Sequence, residues 1–68
     1  MNVTVNGKAR DVEAGSTVSD LIRELGLRDK GVVVERNGEP LDRARFADVR
    51  IGPDDVLEIV RPVQGGAT

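Results

Sequence analysis

Hydrophobic and polar residues alternate at the start of the chain, the pattern of a strand with one buried face. Val3 and Val5 share that face, and the Asn6-Gly7 pair after them favours a tight hairpin turn that needs positive φ. A two-residue turn places Lys8 opposite Val5, on the apolar face. Two arrangements remain open: either the cationic stems of the second strand lie along the rim of the sheet, or a bulge shifts the register.

An apolar stripe with helical spacing follows and predicts one main helix over about residues 17–25. Its four members fall at positions i, i+3, i+4 and i+7. Thr17 and Asp20 have the spacing of a capping box, and Gly26 fits the left-handed position after the helix end. The helix is therefore expected to cover one face of a sheet. The stripe consists of Val18, Leu21, Ile22 and Leu25.

The second half of the chain predicts further strands. In the segment "VVVERNGEPL", Val32 and Val34 are expected to face the core, and a second Asn-Gly pair makes a turn. The short stretch after that turn is predicted to be an edge strand, because Pro40 has no N–H to donate. A polar loop over 42–52, anchored by Phe46 and holding one short 3₁₀ turn and a weak strand, leads to the last strand, "VLEIV".

This order of elements predicts an α+β fold of the β-grasp (ubiquitin-like) class, a roll with one main helix. The sheet is expected to be mixed and to have four to five strands, since the strand after the helix can return parallel by a right-handed crossover. We expect a single domain over residues 1–63 and a flexible C-terminal tail over residues 64–68.

The composition leaves the side chains few ways to do chemistry. The 68 residues include no cysteine, histidine, tyrosine or tryptophan, which excludes thiol nucleophiles, imidazole bases, disulfides and the usual zinc ligands. The adjacent Asp54 and Asp55 are interpreted as a solvated turn rather than as a catalytic pair. We therefore expect no enzyme activity, no metal site and no bound cofactor in this chain.

Charge and hydropathy limit the kinds of partner that this chain is expected to have. Ten Lys and Arg residues against twelve Asp and Glu give a net charge of −2, and Phe46 is the lone aromatic residue, so no nucleic-acid partner is expected. No apolar run approaches the ~20 residues of a membrane span. The first residues do not have the pattern of a signal peptide. We expect a cytoplasmic protein without membrane association.

The paired glycines Gly65 and Gly66 stand apart from the turn glycines. Without Cβ atoms they can thread a narrow cleft, and the carboxylate of a glycine is unhindered. One interpretation is a frayed chain end. The other is a reactive handle on a rigid domain, presented to enzymes that supply the catalytic groups.

The chain resembles the ThiS sulfur carriers of thiamine thiazole biosynthesis, in the ThiS/MoaD superfamily of ubiquitin-like proteins. The resemblance rests on "VNG" at 5–7, "STVSDLIRELGL" at 16–27, "GVVVERNGEPLDR" at 31–43 and, most specifically, "VLEIVRPVQGG" at 56–66. Two positions depart from the family pattern. Pro53-Asp54 stands where an Asp-Gly turn is common, and Phe46 stands where tryptophan is frequent.

The resemblance implies that this chain is a protein co-substrate. A ThiF-type adenylyltransferase would use ATP and Mg to adenylate the Gly66 carboxylate, with Gln64 and Gly65 inserted into its active site. Sulfur from a persulfide, supplied indirectly by a cysteine desulfurase, would displace AMP and leave a thiocarboxylate at Gly66. A ThiG-type thiazole synthase would then receive the sulfur.

Ala67 and Thr68 are the largest departure, because the family commonly ends at the second glycine. Two residues displace the carboxylate by up to ~7 Å, whereas reacting atoms must approach within roughly 3–3.5 Å. We therefore expect a processing protease to cleave between Gly66 and Ala67.

A docking surface is predicted beside the tail. Val56 and Val60 lie on the sheet face away from the helix, and together with Pro62 and Val63 they are expected to contact a partner. The alternative is that the 42–52 loop covers the two strand valines.

Two other functions stay open. A sister sulfur carrier for molybdopterin, cysteine or secondary-metabolite biosynthesis would use the same chemistry at Gly66 with another acceptor enzyme. A non-catalytic β-grasp interaction module would tolerate deletion of Gly66, which a carrier would not.

Overall fold

Five strands form one mixed sheet in the computed structural model, which describes residues 1–62. The strand order is β2-β1-β5-β3-β4, with β1 and β5 parallel and the other neighbours antiparallel. The predicted β-grasp fold, with its mixed sheet and one main helix, is confirmed. The elements are β1 (Asn2–Val5), β2 (Lys8–Asp11), α1 (Val18–Glu24), a 3₁₀ turn (Asp29–Gly31), β3 (Val33–Arg36), β4 (Glu39–Leu41), a second 3₁₀ turn (Arg43–Arg45) and β5 (Val56–Val60).

The first hairpin has the unbulged register. Val5 is opposite Lys8, and the two turn residues Asn6 and Gly7 have φ of 52° and 83°. The half-buried Arg10 side chain reaches α1, where Nη2 lies 3.6 Å from Glu24 Oε1. The cationic stems of β2 therefore lie along the rim of the sheet, the first of the two arrangements that the sequence allowed.

Both ends of α1 are closed by the predicted caps. Thr17 Oγ1 accepts a hydrogen bond from the Asp20 N–H (3.1 Å), and Asp20 Oδ2 accepts one from the Thr17 N–H (2.9 Å). The bond from the Thr17 backbone holds the pKa of the Asp20 carboxyl below its ordinary value, although desolvation acts in the opposite direction. At the other end Gly26 has φ 78°, and the Leu27 N–H donates to the Ile22 carbonyl.

Thr17→Ala is expected to lower the free energy of unfolding by about 1 kcal/mol, because the capping hydroxyl is lost from the N-terminus of a helix that has only two turns. Urea denaturation measures the change. Thr17→Ser keeps the hydroxyl and is the matched control. Equal losses in the two variants would show that the hydroxyl does not stabilise the helix.

The core lies between α1 and the facing side of the sheet, and the 42–52 loop closes one end of it. Phe46 from this loop is the largest fully buried side chain, and its carbonyl accepts a hydrogen bond from the Ser19 N–H (3.0 Å). The predicted 3₁₀ turn is present in the loop, whereas the predicted weak strand is reduced to one bridge between Thr17 and Arg50. The buried hydrophobic residues are Val3, Val5, Val12, Val18, Leu21, Ile22, Val32, Val34, Phe46, Ile51, Leu57 and Ile59.

Candidate functional site

The chain leaves the sheet through its central strand, β5. On one side β5 pairs with β1 and on the other with β3, and the exposed residues Arg61 and Pro62 follow it. The residues on which the carrier hypothesis depends come directly afterwards in the sequence. The predictions for Val63, Gln64, Gly65, Gly66 and Ala67 concern positions outside the described residues.

The asparagines of the two hairpin turns form hydrogen bonds with β5 from opposite sides. Asn6 Oδ1 accepts a hydrogen bond from the Ile59 N–H (2.7 Å), and Asn6 Nδ2 donates to the Ile59 carbonyl (3.0 Å). Asn37 Oδ1 accepts from the Val56 N–H (2.9 Å), while the Asn37 N–H donates to the Val56 carbonyl (2.7 Å). Turn geometry alone had explained both residues from the sequence. The structure adds a second role, because they hold the strand that leads to the tail.

The environment of Asp55 differs from the one predicted for the Asp54-Asp55 pair. Asp54 is exposed, with φ 64°, but Asp55 is only 8% exposed and lies in a hydrogen-bond network. Its Oδ2 accepts from Arg36 Nε (2.9 Å) and the Gly52 N–H (2.8 Å), and its Oδ1 accepts from Asn37 Nδ2 (3.1 Å). The prediction of a solvated turn is therefore wrong for Asp55, since three donors from two separate segments, residues 36–37 and residue 52, converge on its carboxylate.

The pKa of Asp55 reflects two opposing effects. Burial by itself raises the pKa of this carboxyl, but the hydrogen bonds from Gly52, Asn37 and Arg36, together with the Arg36 charge, outweigh it. The net result is a pKa below the ordinary value. Asp55 is thus held as a carboxylate that joins the start of β5 to the end of β3.

The sheet face opposite the helix is open to solvent. Val56 and Val60 are 45% and 51% exposed, and Val33 beside Val60 is also 51% exposed. The suggestion that the 42–52 loop covers Val56 and Val60 is wrong, because that loop bonds to Ser16 and Ser19 at the helix start instead. Val33 lies between the two buried valines Val32 and Val34, and it was not among the residues predicted for the docking surface.

A groove of about 400 Å³ crosses the part of this face nearest the tail. It is lined by Val33 and Glu35 from β3 and by Glu58 and Val60 from β5. The four side chains meet because the two strands are antiparallel, with Val33 opposite Val60 and Glu35 opposite Glu58. The sequence gives the face of each residue by alternation, but it does not give this cross-strand register.

A second, cationic groove of about 420 Å³ lies on the other side of the exit from β5. Two parts of the chain that are distant in sequence build it: the segment 26–31, which follows α1 and includes the first 3₁₀ turn, and Arg61, the residue after β5. No local pattern in the sequence indicates this groove. Its lining consists of Gly26, Leu27, Arg28, Lys30, Gly31 and Arg61.

Two further observations apply to residues 1–62. Within this part of the chain, no three His, Cys, Asp or Glu side chains come close enough together to hold a metal ion. None of the helices described there is long and apolar enough to cross a membrane.

These features define a small ubiquitin-like β-grasp protein with one open sheet face. The chain belongs to the ThiS family, whose model matches residues 3–66, so the resemblance found in the sequence is confirmed. It is similar in structure to a thiamine biosynthesis protein (ThiS) from Geobacter metallireducens. The crystal structure of that protein gives a TM-score of 0.83 at 35% identity, covering 97% of this chain and 100% of that one.

Two curated relatives differ in length. The sulfur carrier protein ThiS of Bacillus subtilis is 42% identical over 50 residues, which cover 74% of this chain and 76% of that protein. A thiazole synthase of Paramagnetospirillum magneticum is 39% identical over 67 residues. That match covers 98% of this chain but 21% of the synthase, so the chain spans about a fifth of that relative's length.

Proposed function

We propose that this protein is a sulfur carrier for thiamine biosynthesis, and that it acts as a co-substrate rather than as an enzyme. The observation that carries the proposal is the ThiS family match, which runs as far as Gly66. The Bacillus subtilis relative, itself named as a sulfur carrier protein, supports it. The composition agrees, because the chain has no cysteine, histidine or tyrosine with which to perform the chemistry itself.

In this proposal the reacting group is the backbone carboxylate of Gly66. A ThiF-type enzyme, with ATP and Mg, joins this carboxylate to AMP and releases pyrophosphate. The outer sulfur of a persulfide, which originates from a cysteine desulfurase, then displaces AMP and forms an acyl disulfide with the Gly66 carbonyl. A thiol cleaves the S–S bond of this intermediate and is itself oxidised to a disulfide, which leaves a thiocarboxylate at Gly66. Gly66 enters the enzyme's active site first, and Gln64 and Gly65 follow it into the same cleft. The two glycines make this possible because they have no Cβ atoms and keep the backbone narrow.

The described residues support a carrier in two ways. The hydrogen bonds of Asn6 and Asn37 hold β5 in place, so the tail starts from a rigid strand. Val56, Val60 and Pro62 are exposed beside that start, and with Val63 they offer an apolar surface to the activating enzyme. Docking on this surface brings Gly66 close to the enzyme that activates it.

A ThiG-type thiazole synthase is the proposed acceptor of the sulfur. The support comes from the Paramagnetospirillum magneticum thiazole synthase, one fifth of which is similar to nearly all of this chain. A carrier-like segment and the rest of a thiazole synthase therefore occur in one polypeptide there. Such a fusion keeps a carrier at high effective concentration next to its acceptor.

Processing is the second part of the proposal. The sequence continues from Gly66 into Ala67, so the Gly66 carboxylate is engaged in a peptide bond until a protease cleaves there. We therefore propose cleavage between Gly66 and Ala67.

The test compares three chains, the 68-residue form, a form that ends at Gly66 and a control that ends at Gly65. Each is incubated with a ThiF-type enzyme, Mg-ATP, a persulfide source and a thiol reductant, and intact mass is measured. We expect the Gly66 form alone to gain the mass difference between sulfur and oxygen. Conversion of the untrimmed 68-residue chain contradicts the processing step, and no conversion of the Gly66 form contradicts the carrier function.

A further inference from the structure

Two carboxylates face each other on the open side of the sheet. Glu35 on β3 and Glu58 on β5 are register partners in an antiparallel pair, and both are exposed. Side chains directly opposite each other on such strands have Cβ atoms about 4.5–5.5 Å apart. The next outward pair towards the tail is Val33 and Val60, and Val56 lies on the other side of Glu58. The two carboxylates are thus set among three exposed valines.

This arrangement is unfavourable in the free protein. Like charges directly opposite each other destabilise a sheet, and within residues 1–62 neither Glu35 nor Glu58 belongs to an ion pair. Every outward-facing strand position of the sheet is uncharged or acidic. The arginine next to Glu35 points the other way, since Arg36 donates to the buried Asp55. Among residues 1–62, no cationic side chain forms an ion pair with either carboxylate.

We propose that the Glu35–Glu58 pair receives one arginine side chain of the activating enzyme, with the surrounding valines packed against apolar residues of that enzyme. An arginine fits because its planar guanidinium has five donors and can bond to both carboxylates at once. The valines restrict the occupant to a protein surface, since a free cation gains nothing from apolar neighbours. The inference rests on the proposed carrier function, which supplies the partner.

The position of the pair supports this partner. Gly66 lies six positions after Val60 in the sequence, and six residues of fully extended chain span at most about 22 Å. An enzyme that grips the Val33–Glu35–Glu58–Val60 groove therefore has its active site within reach of the Gly66 carboxylate. Charge complementarity at such a surface raises the association rate and selects the partner.

The inference predicts opposite effects on stability and on binding. Removing one charge with Glu58→Gln, or both with Glu35→Gln as well, relieves the repulsion, and the melting temperature of the free protein is expected to rise by about 1–4 °C. The same double variant is expected to raise both the KM for adenylation and the Kd for the enzyme roughly tenfold. The kcat at saturation is expected to stay unchanged, because the proposed role of both residues is in docking and not in the reaction at the carboxylate.

The experiment uses the form that ends at Gly66, which keeps every residue that the structure describes. Melting temperature, ATP–pyrophosphate exchange with the ThiF-type enzyme and direct calorimetric titration of that enzyme are measured at low and high salt. Glu13→Gln, an exposed residue outside the groove with the same charge change, is the control. Salt is expected to weaken binding of the parent chain more than binding of the double variant.

Three results would overturn the inference. They are an unchanged Kd and KM in the double variant, an equal loss in Glu13→Gln, or a concentration-dependent dimer of the free chain that the double variant abolishes. The last result would assign the face to a second copy of this chain. The parent chain separates the two proposals: if it binds and is adenylated while the double variant behaves identically, only this inference fails. If the parent chain is not adenylated at all, the carrier function fails, and the titration still reports on the carboxylate pair.

Discussion

Replacing Phe46 with alanine is expected to lower the free energy of unfolding by about 3–5 kcal/mol. Phe46 is 1% exposed and is the largest fully buried side chain among residues 1–62. Alanine removes its ring from between the helix and the sheet and leaves a cavity. A 68-residue protein has roughly 3–10 kcal/mol of stability in total, so a large fraction of the variant is expected to be unfolded at 37 °C.

Chemical denaturation followed by far-UV circular dichroism measures this loss. Phe46→Leu is the control, because leucine fills most of the same volume and is expected to cost less than about 1.5 kcal/mol. Both variants lose the aromatic ring, but only alanine leaves a large cavity. The difference between their free energies of unfolding therefore measures the cost of the cavity. If alanine and leucine cost the same, the site relaxes around the smaller side chain and Phe46 does not hold the loop in place.

The helix shows how far local chemistry can be predicted. The spacing of four apolar residues, the Thr17-Asp20 pair and Gly26 all lie within one short segment, and the observed helix Val18–Glu24 has the predicted caps at both ends. Capping and helical periodicity depend on residues three or four positions apart. The sequence therefore contains all the information that sets these boundaries.

The network around Asp55 could not be predicted for the opposite reason. Asp55 bonds to Arg36, 19 residues away, and Asn6 bonds to Ile59 across 53 residues. An aspartate in a turn-forming segment looks solvated until the tertiary fold brings donors to it. Only the packing of the 52–55 turn against the end of β3 decides that Asp55 is buried and Asp54 is not.

The docking surface could be predicted only in part. Alternation along β5 correctly placed Val56 and Val60 on one face, but alternation does not say what covers a face. The exposure of both valines and their juxtaposition with Glu35 and Glu58 follow from the strand order, in which β5 is central and β3 is beside it. The predictions for Gly66 and its neighbours stay predictions.

Asp55→Asn is expected to lower the free energy of unfolding by about 2–3 kcal/mol at pH 7. The carboxylate accepts hydrogen bonds from Arg36, Asn37 and Gly52, and all three partners are donors. The amide that replaces one oxygen is itself a donor, so at least one bond is lost and two donors face each other. The start of β5 loses its anchor as a result.

Asp54→Asn is the matched control, because it removes the same charge one residue away and asparagine tolerates the positive φ of this position. Its stability is expected to stay within about 0.5 kcal/mol of the parent protein. Urea denaturation at pH 7 compares the two variants. Equal losses would show that net charge matters here and the hydrogen-bond network does not.

The pH dependence supplies a second test of the Asp55 network. A carboxyl whose pKa is lower in the folded protein than in the unfolded chain contributes stability above the unfolded pKa of about 3.9, and that stability is lost as the pH falls through the folded pKa. The pKa of Asp55 is shifted in this direction. The difference in stability between the parent protein and Asp55→Asn is therefore expected to be constant from pH 7 to about pH 5 and to shrink below about pH 4. A difference that persists unchanged at lower pH would mean that asparagine destabilises the protein through its shape, because protonation of Asp55 removes the charge from the parent protein as well.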